Sequence, residues 1–160
     1  MKKNQKGFSL IELLVVIAII GTIAAIAIPN LIAARRSANE GSAMSTIRML
    51  HTAQVTYNAA DGNGQYGSLA NLRDIILIDE LVATGNKSGY NFIATPDNNV
   101  TPSTFVIDAA PINVTAGAMR TGTRRFCIAT EGVLRANPNN PGTRITAANA
   151  CNDAYGPAVH

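Results

Sequence analysis

Between Phe8 and Ile28 the chain runs 21 residues with a single charged side chain, Glu12, and from Leu13 onward only alanines, Gly21 and Thr22 interrupt the Leu, Val and Ile. At about 1.5 Å per residue such a helix is about 31 Å long, which matches the hydrocarbon core of a bilayer. The segment can therefore span a membrane. An ionised carboxylate within it costs about 2.5–3.5 kcal/mol at the bilayer centre and less near an interface, so acids in such places tend to be paired and functional. Glu12 requires a partner.

The residues in front of this run are a short basic stretch, Lys2, Lys3 and Lys6, ending in Gly7, followed by Phe8 and by Glu12 five positions past the glycine. This arrangement closely resembles the processing site of type IV prepilins. The resemblance implies that a prepilin peptidase cuts after Gly7 and methylates the new Phe8 amine, and that Glu12 neutralises the Phe8 ammonium of a neighbouring subunit. The motif is specific to the prepilin superfamily, which includes type IV pilins and the pseudopilins of type II secretion and DNA-uptake machines. It covers about residues 1–35, and beyond it only the layout of short strands and a late cysteine pair is shared.

Two other readings of the N-terminus compete. A secretory signal peptide would end at Ala25-Ile26-Ala27, an A-x-A-like site, and would discard the whole helix. Against it stand Glu12 at the start of the apolar run and the absence of any turn between Ala27 and the helical pattern beyond Pro29. A plain single-pass anchor leaves Glu12 without a purpose.

The formal charge of +3 overstates how basic the working protein is. Removing the three leader lysines from 13 basic residues leaves 10 against 10 acidic ones. A neutral chain lacks the cationic excess on which nucleic-acid binding usually rests. Cys127 and Cys151 are the only cysteines, and an even number in an exported chain favours a disulfide over two free thiols. Neither has a CxxC neighbour, and His51 and His160 sit elsewhere, so no metal site and no cofactor is expected.

After Pro29 the pattern becomes amphipathic. Ala43, Ile47, Leu50 and Tyr57 fall at helical spacing with Ala53 nearby, while Arg35, Arg36, Glu40 and Arg48 take other positions. Residues 8–60 thus read as one long helix, of which 8–29 is a membrane or filament-core half and 30–60 packs on a head spanning 30–160. Pro29 removes a helix hydrogen bond and should kink the helix, with Gly21 weakening it upstream. Asp61-Gly62-Asn63-Gly64 should end it.

Short helical turns are expected over 69–78 and 79–84, then β runs at Tyr90–Ala94, Thr104–Ala109 and Arg125–Ala129, and a return strand at Val133–Ala136. The fold class is α+β: a long N-terminal helix on an antiparallel sheet of about four strands. The tail from Asn137 to His160 has too few large apolar residues to hold itself, and a Cys127–Cys151 link would tether it.

No catalytic constellation emerges, and the chain reads as a non-enzyme. Asp61-Gly62-Asn63-Gly64-Gln65 begins like a calcium loop but lacks the later ligands and the turn glycine. Three N-glycosylation triplets, at Asn86, Asn99 and Asn113, are what an Asn- and Thr-rich chain generates by chance. Arg120, Arg124 and Arg125, with Arg135 and Arg144, form a candidate polyanion patch, for which solvated charge or subunit pairing is the simpler account.

The resemblance implies the subunit of a type IV pilus: a homopolymer joined through N-terminal helices and made with a prepilin peptidase, an inner-membrane platform and an ATPase. It implies an inner-membrane location before assembly and a surface filament after it, serving adhesion, twitching motility or DNA uptake. The alternatives are a type II secretion pseudopilin, whose major form tends to hold its last loop with calcium rather than a disulfide, and a minor DNA-binding pilin.

Overall fold

The computed structural model describes residues 7–115, 117, 119–138, 145, 147, 151 and 158–159. Leader residues 1–6, Arg144, His160 and most of the expected tail lie outside the described residues. Two compact units divide the chain, one up to Ala34 and one from Arg35 onward.

Helix α1 runs unbroken from Leu10 to Ala60 and includes Gly21 and Pro29. Pro29 has no N–H, so the carbonyl of Ala25 lacks its usual helix donor, which apolar surroundings make expensive. At the far end Gly62 donates to the Tyr57 carbonyl (2.7 Å) and Gly64 to that of Asn58 (3.1 Å), so the glycine-rich turn caps the orphan carbonyls and stops the helix where its composition suggested.

In the second unit the apolar stripe of α1 meets a sheet. Ala43, Ile47, Leu50 and Ala53 are buried, as their spacing requires, and Tyr57 is partly buried. The sheet order is β1-β2-β3-β4-β5, antiparallel throughout. Its strands are Asn86–Lys87, Tyr90–Asp97, Thr104–Pro111, Arg125–Ala129 and Leu134–Asn137. Alternation sends Tyr90, Phe92, Phe105, Ile107, Phe126, Ile128 and Leu134 into the core shared with α1. Full burial of each such side chain contributes about 1.5–3 kcal/mol.

Four strands stand close to where the β-type runs placed them. The fifth, β1, carries no such signal in Asn86 and Lys87. It forms because Ser88 (φ 49°) and Gly89 (φ 73°) both adopt left-handed backbone, the geometry of a two-residue hairpin turn, and fold Lys87 back onto Tyr90.

The connector between α1 and the sheet is pinned in two ways. Buried Gln54 donates to the Gly67 carbonyl (2.5 Å) and accepts from the Gly67 N–H (3.0 Å). Helices α2 (Leu69–Asp74) and α3 (Glu80–Ala83) are capped by Ser68 and Asp79, and they bury Leu72 and Val82. Between them Ile76 holds φ at 60°. That left-handed conformation costs a β-branched residue about 1–2 kcal/mol.

Candidate functional site

The N-terminal segment holds Gly7, Phe8 and Glu12, the residues expected to serve processing and assembly. Helical hydrogen bonding begins with the Leu13 N–H donating to the Ser9 carbonyl (3.2 Å), and Glu12 lies in the first turn of α1. There its charge complements the unpaired N–H groups, worth about 0.3–1 kcal/mol. Gly7 and Phe8 precede the helix, and Phe8 is 82% exposed. All twelve Leu, Val and Ile side chains from Leu10 to Ile28 are exposed. Thr22 donates its hydroxyl to the Ile19 carbonyl (2.8 Å), so the segment's one hydroxyl is satisfied inside the helix and tolerates an apolar medium. A surface of this size is stable only when lipid or other helices cover it.

The second unit has its own polar centre, at Glu40. For its charge Glu40 is set among the outward-facing residues, yet it is buried. Its Oε1 accepts from the Thr123 N–H (2.7 Å), the Thr123 hydroxyl (2.6 Å) and the Arg124 N–H (3.2 Å). Arg124 Nε donates to Oε2 at 2.8 Å. This carboxylate therefore fastens the β3–β4 connection to α1. Arg36 reinforces it by donating to the carbonyls of Gly117 and Arg120, and Asn39 by donating to that of Thr121 (2.9 Å). Beneath the clamp the Tyr90 hydroxyl donates to the Arg124 carbonyl (2.7 Å), and burial followed by the Glu40 charge pushes the phenol above its ordinary range.

Burial opposes ionisation of Glu40, but the bonds from Thr123 and Arg124 outweigh it and hold the carboxyl below its ordinary value. A depressed folded pKa stabilises the fold above the unfolded value of 4.5, and that contribution is lost as pH falls through the folded value. Glu40→Gln should be less stable than wild type at neutral pH by about 1.5–3 kcal/mol and should show a flatter acid limb. Thermal melts between about pH 7 and about pH 3 check this, and parallel acid limbs would exclude the clamp's electrostatic role.

The candidate polyanion patch is dispersed. Arg124 pairs with Glu40, and Arg120 donates to the carbonyls of Gly122 (3.0 Å) and Thr123 (3.5 Å). Arg125 is 2% exposed and pairs with Asp108 through two hydrogen bonds (2.8 and 2.6 Å). The expectation that Arg125 faces solvent is corrected, because the sheet face away from α1 is itself covered. That face holds a second apolar cluster of Val106, Cys127, Ala129, Ile145 and Cys151.

Cys127 and Cys151 are joined there, with Cα atoms 5.9 Å apart across a separation of 24 residues. On the chain-entropy model a loop of that length contributes about 3.5 kcal/mol. His51 packs against the Phe105 ring, with centroids 5.4 Å apart.

Comparison with known proteins bears on the N-terminal segment first. Residues 2–28 match the prokaryotic N-terminal methylation motif. That match covers the basic leader and the apolar run, including Gly7, Phe8 and Glu12. It is 66% identical over 38 residues to the type IV wide pilus major component PilA4 of Thermus thermophilus, which is 24% of this chain and 29% of that one. Identity to the type IV major pilin protein PilA of Myxococcus xanthus is 38% over 91 residues, 57% of this chain and 38% of the relative. The type II secretion system core protein G of Escherichia coli is 36% identical over 91 residues, 54% of this chain and 61% of that protein. The chain therefore spans between about a third and three fifths of these relatives' lengths. No solved structure matches significantly.

Sequence reading found the cysteine pair but missed Glu40 and Asp108. A faint signal existed for Glu40, which stands three residues before Ala43 and seven before Ile47, on the stripe it was excluded from for being charged.

Proposed function

We propose that this chain is the structural subunit of a type IV pilus. It is held in the bacterial inner membrane by residues 8–29 and then extracted into a helical filament displayed on the cell surface. The observation that carries this reading is the apolar N-terminal half of α1, uncovered along its whole length and interrupted only by Glu12, behind a methylation motif. Packed together, such helices would form a filament core held by burial and close contact, with Ala18, Gly21 and Ala25 permitting near approach and Gly21 and Pro29 marking the segment able to bend or stretch. The heads, tied by the Cys127–Cys151 bridge, would form the outer surface. The major pilins among the relatives support this over a minor role.

A peptidase that cleaves after Gly7, an inner-membrane platform and an ATPase are the partners this reading requires. Burial of Arg125 takes one of the three arginines out of the candidate polyanion patch. A secretion pseudopilin is the second reading, favoured by the share of core protein G that the chain covers. Negative-stain microscopy of cells with and without the gene tests the proposal: surface filaments lost with the gene support a major pilin, and unchanged filaments favour a minor subunit or a pseudopilin.

Processing yields its own expected result. Intact mass of the filament subunit should correspond to a chain starting at Phe8 with one added methyl group, and a bulky residue at Gly7 should leave the precursor uncut in the membrane. A mature N-terminus at Ile28 would instead establish secretion by a signal peptide.

A further inference from the structure

We infer that successive heads engage through one pair of unlike surfaces: an acid-flanked apolar knob at Ile76 and Leu81 seats in the arginine-rimmed notch of a second copy. This deepens the filament reading and rests on it.

The knob begins with an anomaly. Ile76 is 89% exposed and holds φ at 60°, a conformation that Asn or Gly would adopt with little strain. Leu81, 57% exposed, stands five residues on. The same stretch already buries Leu72, Ile78 and Val82 in the core, so its inward face is filled without Ile76, which is left almost wholly outside it. Strain retained at an exposed apolar residue points to a contact outside the chain. Around it stand Asp74, Asp79 and Glu80 against one cation, Arg73, which bonds Asp74 and Glu80. The knob therefore carries a net charge of −2 from these four residues.

The notch has the opposite character. It is a cavity of about 490 Å³ lined by Arg35, Asn39, Ser88, Met119 and Arg120 among others. Met119 is 77% exposed, and Ile112 and Val114, in the same β3–β4 connection, are also exposed. Arg35 has no acidic partner among the described residues, while the Arg120 guanidinium is oriented by backbone carbonyls and keeps its charge. The notch thus offers a cationic rim beside the exposed Met119 side chain, opposite in charge to the knob and with an apolar group for it to meet.

Charge complementarity selects a second copy as the occupant. Knob and notch share no residue, so one copy can offer its knob to one neighbour and its notch to another, and within a helical filament such a heterologous contact repeats from subunit to subunit. Burying two apolar side chains and a few ion pairs makes a weak contact, repeated at every subunit.

The test uses the full-length chain in cells that make filaments. A photo-activated cross-linking amino acid replaces Ile76, and sheared filaments are irradiated and digested. Expected is a ladder of cross-linked oligomers with position 76 joined to residues 35–39 or 113–124 of another copy. Filaments that assemble but cross-link elsewhere, to lipid, to another protein or not at all, would overturn the inference. Absence of filaments from the unmodified chain would instead overturn the pilin reading.

Three substitutions exclude a merely structural role. Ile76→Asn should raise the melting temperature of the head by relieving strain while lowering the yield of shear-resistant filaments about tenfold, whereas a folding role would lower both. Glu80→Lys and Arg35→Glu should each weaken filaments, and combining them should restore yield. Two defective single variants without rescue in the double would count against the charge match.

Discussion

Glu12→Ala is expected to give a chain that inserts into the membrane, is cleaved after Gly7 and builds no filaments when it is the sole subunit. Two accounts of the Glu12 charge make different forecasts. In the local one the carboxylate complements the first turn of its own helix, where it lies, and its loss costs about 0.3–1 kcal/mol. In the intermolecular one it meets the Phe8 amine of a neighbour inside the apolar core. Removing it there leaves a buried ammonium unpaired, at about 3–5 kcal/mol per contact, repeated along the filament. Only the second account abolishes assembly while sparing insertion and cleavage. Glu12→Asp should be partly defective, because the shorter side chain loses reach. Filament counts by microscopy, together with immunoblots of membrane fractions, measure both steps. Normal filaments from Glu12→Ala would leave apolar packing as the sufficient cause of assembly.

The elements that sequence disclosed are those in which one local pattern decides the outcome. An uninterrupted apolar run sets the N-terminal half of α1, and helical spacing of Ala43, Ile47, Leu50 and Ala53 sets the buried stripe of the other half. The turn glycines Gly62 and Gly64 end the second half. What escaped depends on partners distant in sequence. Glu40 is drawn into the interior by donors 83 residues away, which no local periodicity encodes. Strand β1 exists through the turn after it rather than its own side chains. Arg125 reads as surface charge because alternation tells which face a residue takes and not whether that face is covered. The knob at Ile76 is invisible for a further reason: an Ile in a short connector looks like core until the backbone conformation shows that it points outward.

Asp108→Ala should be the most destabilising single change on the sheet face away from α1, at about 3–5 kcal/mol. Asp108 on β3 stands opposite Cys127 in register, and Arg125 is two residues before that cysteine on β4, so the ion pair is the diagonal neighbour of the disulfide strand position. Both side chains are 1% exposed and joined by two parallel hydrogen bonds, a geometry in which each charge relies on the other's presence. Truncating the acid leaves a buried guanidinium. Replacing both partners, as Asp108→Leu with Arg125→Met, removes both desolvation penalties and should recover most of the loss or exceed wild type by about 1–4 kcal/mol. Denaturant melts of detergent-solubilised chain with the disulfide intact give the comparison. A stable double variant would mean that the pair is kept for what it forbids: slipping β4 by one residue on β3 would drive Arg125 into the face that Phe105, Ile107 and Phe126 share with α1. A cost below about 1 kcal/mol for Asp108→Ala would show instead that Arg125 finds other acceptors, and the pair would then have no part in fixing the register.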